Sequence, residues 1–286
     1  MGKLISDLLF FGRLEKMSKM STSEFALRNC TVFVYQLNYS DNCIIKYKKM
    51  KPFKSVFLLF SFALISVFAN SQDTITRNLD PFESLSIIGK MRVELYKSDT
   101  VRAELILLNT PADNIITEVS QNALSIRLKT DTQKTAVIRI RLFYTSLTDI
   151  LVAANSLLVS PETLTAEKIN FTARSGAKME LDLDVTNIQA EVKQGGLLVF
   201  SGKTNRQDVV ANTGATYSAY ELKAEDTYVT ANSGSKAKVC AARIIDATSN
   251  TKSYVGYIGV PVSVYMKTNL GGVIASFANE DAVFEE

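Results

Sequence analysis

From about residue 147 onward, apolar residues alternate with polar ones in short runs. Each run is broken by a small residue or a glycine: TARSGAKMELDL at Thr172–Leu183, then EVKQGGLLVFSG, ANTGATYSAY and ANSGSKAKVC. With Gly176 as the reference, the pattern returns at Gly195, Gly214 and Gly234. It returns more weakly at Lys252 and Gly271, and one copy precedes at Ser156. The intervals are 20, 19, 19, 20, 18 and 19 residues, the mark of a repeat protein. Five before each reference stand Leu151, Phe171, Ala190, Val209, Val229, Ala247 and Met266. Three before stand Ala153, Ala173, Val192, Ala211, Ala231, Ser249 and Thr268, and three after stand Val159, Met179, Leu198, Tyr217, Ala237, Val255 and Ile274. Nineteen of these 21 are hydrophobic, against about ten expected by chance from the composition. A spacing of two between inward positions is that of a strand.

Each repeat therefore predicts a strand, a tight turn and a second strand, too small to bury its own apolar side. Stacking like residues on like, about 4.8 Å apart, gives a parallel β-solenoid whose seven rungs span roughly 29 Å. Gly176, Gly195, Gly214, Gly234 and Gly271 fall where the turn needs a backbone free of side-chain strain. The next position is small in every copy from Ala177 to Gly272. Two before the reference, Asn212, Asn232, Asn250 and Asn269 recur in successive rungs, as a side-chain ladder along the axis would require. This column reads as structural. The crossover preference predicts a right-handed coil. Residues 74–146 alternate without the glycine turn. They predict an irregular opening β region, as wider coils or a sheet that caps the stack, ahead of regular coils over 147–277.

The start of the chain differs. Residues 1–71 hold ten of the 32 Lys and Arg and four of the 29 acids, leaving 22 basic against 25 acidic residues in 72–286. That balance gives no footprint for nucleic acid. A basic start at Met50 leads into an apolar run from Val56 to Ala69, shorter than the roughly 20 residues that span a bilayer. It ends in Ala69-Asn70-Ser71, so residues 50–71 read as a signal peptide cleaved between Ser71 and Gln72. Residues 1–49 then read as an extension upstream of the true start, 72–286 as one exported solenoid domain without a transmembrane segment, and 278–286 as an acidic tail. Cys240 is the one cysteine beyond residue 71 and forms no internal disulfide.

RNLDPFESLSIIGKMRVEL, ITEVSQNALSIRL and SLTDILVAANS, followed by the glycine-turn repeats, resemble the bacterial family described as putative auto-transporter adhesin, head GIN domain. The resemblance covers roughly residues 77–275 and rests on order and spacing. It implies a fold similar to the pectate-lyase-like right-handed β-helix, a secreted or surface location in Bacteroidetes, and a role in adhesion. Turns of that family commonly read Ser-Gly-Ser-Gly. Here they read Asn-Ser, Ser-Gly, Gln-Gly, Thr-Gly and Asn-Thr-Lys, which leaves the fold and weakens any role of the turns in binding.

The chain has no histidine, which removes imidazole-based nucleophilic catalysis and zinc sites. Glu180, Asp182 and Asp184 alternate along one strand and share a face. They are the candidates for holding calcium, a glycan or a hydrolytic site, and their plainer reading is a solvated outer face. Tyr228 and Tyr265 stand six before their references, two rungs apart with Asp246 between, and offer rings to a sugar. Their plainer reading is partial burial under neighbouring loops. Asp73-Thr74-Ile75 and Asp99-Thr100-Val101 match a loose O-glycosylation pattern. No cofactor is expected. The reading is an exported, non-catalytic β-solenoid that binds a surface glycan or cell-envelope component. The alternatives are a polysaccharide lyase or hydrolase on the same scaffold and a purely structural envelope protein.

Overall fold

Among the described residues, seven corners of one kind set the course of the coils. The computed structural model describes residues 74–129 and 135–277. The expected upstream extension, signal peptide, cleavage site and acidic tail lie outside the described residues. At each corner two successive residues take φ between 49° and 76°: Ala154–Asn155, Ser175–Gly176, Gln194–Gly195, Thr213–Gly214, Ser233–Gly234, Thr251–Lys252 and Leu270–Gly271. In the last six, the residue after the pair donates its N–H to the carbonyl before it, from Ala177 to Arg174 through to Gly272 to Asn269. Left-handed angles at both central positions make these type I′ turns. Glycine supplies the second residue without a side-chain penalty, whereas Thr213 and Thr251 hold β-branched side chains in a region that disfavours them. Turns also bond to turns: Gly176 N–H donates to Gln194 C=O, Gly195 to Thr213, Gly214 to Ser233 and Gly234 to Thr251. Inter-layer hydrogen bonding therefore continues around the corner.

The strands on either side pair one coil away rather than with each other. The opening region holds β1 (Thr74–Asn78), β2 (Ser84–Ile88), β3 (Arg92–Lys97), β4 (Arg102–Leu108), β5 (Ile115–Ser120), β6 (Ala123–Leu128) and β7 (Val137–Tyr144). The regular coils hold β8 (Asp149–Ala153), β9 (Leu157–Val159), β10 (Leu164–Arg174), β11 (Lys178–Lys193), β12 (Leu197–Asn212), β13 (Thr216–Ala219), β14 (Leu222–Ala231), β15 (Lys236–Cys240), β16 (Ile244–Asn250), β17 (Tyr254–Ile258), β18 (Ser263–Asn269) and β19 (Val273–Phe277). A front sheet runs β6-β2-β8-β10-β11-β12-β14-β16-β18, all parallel, from the segments that enter the turns. A back sheet runs β7-β3-β9-β11-β12-β13-β15-β17-β19, also all parallel, from the segments that leave them. β11 and β12 serve both sheets. The inward parity changes at Thr186–Asn187 in β11 and at Asn205–Arg206 in β12, where two consecutive side chains face away from the core and the second corner forms.

Inward columns fill the space between the sheets. Ala173, Val192, Ala211 and Ala231 stack at 0% exposure, as do Met179, Leu198, Tyr217 and Ala237. The column after the turn must be small because it lies against backbone: a Cβ on Gly196 would sit 2.8 Å from the Ala173 carbonyl oxygen. Where serine fills this column, its hydroxyl donates to such a carbonyl, Ser235 to Ala211 and Ser253 to Ala231.

Two features differ from the sequence reading. The first rung is shifted by one residue: Ile150 pairs with Phe171 and Leu158 with Met179, so Asn155, not Ser156, stands at the level of Gly176. Ile150, Val152 and Leu158 are buried while Leu151 and Val159 sit on the half-exposed outer side. In a strand, one residue of slip exchanges the two faces, and the run of apolar residues in DILVA masked the parity. The opening region, in turn, is neither coils alone nor a cap alone. β2–β3 lies between β6–β7 and β8–β9, so its coil is inserted out of sequence order. Antiparallel β5 on β6, β4 on β7 and β1 on β4 close that end.

Candidate ligand-binding flank

The outer side of the front sheet presents three columns, because alternate residues of stacked parallel strands come into line. Nearest the type I′ turn, Asn232 donates to Asn212, Asn250 to Asn232 and Asn269 to Asn250, each at 2.8 Å. Each central amide is thereby used once as donor and once as acceptor. Asn232→Leu removes two of these bonds and leaves a carbonyl and an amide of its neighbours unpaired. It is expected to lower stability by about 1–3 kcal/mol, measurable as a lower denaturant midpoint. An unmoved midpoint would show that the column contributes nothing to stability.

Farther from the turn, Asn170, Gln189, Asp208, Tyr228, Asp246 and Tyr265 fall in register. Tyr265 is 61% exposed. Tyr228 is less free: the Arg206 guanidinium lies 4.3 Å from its ring centroid, and Arg206 Nε and Nη2 each donate to an Asp208 carboxylate oxygen at 2.9 Å. A shallow depression of about 390 Å³ lies along the same flank, lined by Asn170, Gln189, Glu191, Asp208 and Val210 among others.

Glu180, Asp182 and Asp184 do share one outer face, that of the back sheet, but each is engaged separately. Lys178 pairs with Glu180, Thr163 and Ser201 donate to Asp182, and Lys203 pairs with Asp184 at 3.2 Å. Among the described residues no group of three acids, histidines or cysteines could hold a metal ion.

A polar cluster that the sequence reading missed lies inside the coil. Tyr217 Oη donates to Gln207 Oε1 at 2.7 Å, and Gln207 Nε2 donates to Thr227 Oγ1 at 2.9 Å and to the Cys240 carbonyl at 3.1 Å. Thr227 Oγ1 donates to the same carbonyl at 2.7 Å. All three side chains are 0% exposed, and burial pushes the Tyr217 phenol upward. Of the three, only Tyr217 stands in a column that the sequence reading placed inward; Gln207 and Thr227 stand seven before their references, in a column it did not name. The Cys240 carbonyl that they serve is visible only in the folded chain. Cys240 itself is half-buried, and burial raises its thiol pKa.

This solenoid, with its antiparallel cap and glycine corners, is matched over residues 81–261 by a known family. The chain belongs to the family described as putative auto-transporter adhesin, head GIN domain. Solved structures agree on the fold of this head GIN domain. One is a putative adhesin from Bacteroides fragilis at 15% identity and TM-score 0.62, covering 72% of this chain and 98% of that one. Another is a putative adhesin from Parabacteroides merdae at 13% identity and TM-score 0.60, covering 73% and 97%. A protein from Parabacteroides distasonis described as a putative lipid binding protein matches at 15% identity and TM-score 0.55, covering 72% and 98%. No curated protein matches the head GIN chain.

Proposed function

We propose that the protein is exported and acts as a non-catalytic binding module, holding a surface glycan or cell-envelope component through repeated contacts along the front flank. The observation that carries this reading is the column Asp208, Tyr228, Asp246 and Tyr265, which repeats polar and aromatic groups at one-layer spacing on an exposed sheet. Several weak contacts at fixed spacing on a rigid support add up without a deep pocket. Membership of an adhesin family supports the same class of role. So does the state of the acids on the back sheet: Glu180 and Asp184 are 44% and 49% exposed and each faces a lysine. Glycosidic cleavage calls instead for a carboxyl group held in a desolvated setting.

Tyr265 should matter more than Tyr228, because Arg206 already covers one face of the Tyr228 ring. Tyr265→Ala is expected to weaken binding about tenfold, the scale of one lost aromatic contact, and Tyr228→Ala less. A glycan array with and without calcium, followed by titration of retained glycans, checks this. Equal binding by both variants would remove the flank from consideration. Shortened glycans would move the reading to a lyase or hydrolase using Glu180, Asp182 and Asp184, and no retained glycan would favour a protein partner or a structural role.

A further inference from the structure

The amides of the front flank are not all used in the same way. In the column nearest the turns, each central asparagine is consumed by its neighbours along the axis. The column of Asn170, Gln189 and Asp208 is not. Asn170 Nδ2 donates to Asp149 Oδ1 at 2.7 Å, but Asn170 Oδ1 is buried without a partner, and Gln189, in register one layer on, is exposed. Beside them lies the depression of about 390 Å³, lined by residues of β10, β11 and β12. It follows the solenoid axis across three layers, roughly 10 Å from first to third, the length of a disaccharide. Val210, 41% exposed, gives it an apolar wall.

Charge cancels along this flank. Both acids that line the depression are held by a base on their own strand, Glu191 by Lys193 at 2.7 Å and Asp208 by Arg206 at 2.9 Å. Over the front-sheet segments from β8 to β18, five basic residues (Lys168, Arg174, Lys193, Arg206 and Lys267) stand against five acids (Asp149, Glu191, Asp208, Asp226 and Asp246). A charged ligand meets no excess of the opposite sign. Hydroxyl groups meet donors and acceptors together, since a carboxamide supplies both and an ion-paired carboxylate still accepts.

We propose that the depression binds an uncharged oligosaccharide laid along the solenoid axis. Gln189 gives one amide hydrogen to Asn170 Oδ1, as the asparagines of the neighbouring column do, and keeps the other and its oxygen for ring hydroxyls. Asp208 and Glu191 accept from further hydroxyls, and the C–H face of one ring rests on Val210. This rests on the reading of the front flank as the binding surface, and adds to it the charge class of the ligand, its direction and a subsite apart from the tyrosines. A chain that continues past Asp208 meets the Tyr228 ring in the next layer.

An array carrying uncharged oligosaccharides of glucose, galactose, mannose and N-acetylhexosamines beside uronic-acid, sulfated and sialylated ones, read with the full chain, tests this. The retained glycans are expected to be uncharged. Titration with one of them should give a Kd that shifts less than about twofold between roughly 0.05 and 0.5 M sodium chloride, because no ion pair is there to be screened. Gln189→Ala and Val210→Ser should each weaken it about tenfold, with unchanged thermal midpoints, because both side chains are exposed. Retention of acidic glycans, or a Kd that climbs steeply with salt, overturns the proposal and leaves the flank reading in place where Tyr265→Ala weakens the same binding. Weakening by Tyr265→Ala and by neither Gln189→Ala nor Val210→Ser overturns it in the same way. An array that retains nothing, or binding that none of the three variants alters, overturns both.

Discussion

Phe200→Ala is expected to lower the unfolding free energy by about 3–5 kcal/mol. Phe200 is 1% exposed and sits between two other rings, its centroid 4.7 Å from that of Phe171 and 5.7 Å from that of Tyr217, the latter edge-on. Removing the ring deletes both aromatic contacts and leaves a void that stacked strands cannot collapse into, because each is tied to layers above and below. In a solenoid every layer rests only on its neighbours, so damage in the middle also weakens the coupling of the two halves. The denaturant transition should therefore broaden or separate into two steps as well as move to lower midpoint. A single sharp transition within about 1 kcal/mol of wild type would show that neighbouring coils close over the site.

Gln207→Leu is expected to cost about 2–4 kcal/mol although it replaces a polar group by an apolar one of similar size. Leucine suits the inward column, where Ile188 stands one layer before it. It leaves the Tyr217 hydroxyl without its acceptor at 0% exposure and takes one donor from the Cys240 carbonyl. Adding Tyr217→Phe removes the orphaned hydroxyl, so the double variant should be more stable than Gln207→Leu alone. Non-additivity in that cycle is the diagnostic reading. Additive costs would mean that the two groups do not act through their shared bond.

The same burial has a pH signature. Tyr217 ionises in the unfolded chain near the usual pH of about 10 and only at higher pH when folded. Above that pH the unfolded state holds fewer protons at this group than the native state. Stability is therefore intact below about pH 10 and falls as pH rises beyond it, by up to about 1.4 kcal/mol per pH unit from this one group. Tyr144, raised by burial and by Glu162, adds a slope of the same sign. Tyr217→Phe should flatten the alkaline limb of a stability–pH profile without abolishing it.

How far the sequence could be read depended on what repeats. The corners, the small residue after each, the asparagine column and the stack of Phe171, Ala190, Val209 and Val229 were legible because stacking demands the same residue type at the same place in every coil. Tyr265 and Tyr228 could be put on one column by counting. That Arg206 lies over Tyr228 could not, because the guanidinium reaches it from the neighbouring layer and this contact does not recur. The first rung was misplaced by one residue because the apolar run Ile150-Leu151-Val152-Ala153 has no polar residue to mark its outer side.

The sequence by itself determined the coil length, the place of the tight turn and which residues face inward over most of the stack, since each of these is a local choice repeated at a fixed spacing. The tertiary structure decided which strands pair. A type I′ turn between two alternating strands is also the turn of a β-hairpin, and nothing local states that the strands here diverge to bond one coil away. It also decided that β2–β3 enters the stack between β6–β7 and β8–β9, and that a carbonyl at Cys240 turns inward to meet Gln207 and Thr227. These outcomes are settled by contacts between distant parts of the chain. They depend on how well whole layers bury one another's apolar faces, a quantity that no single repeat contains.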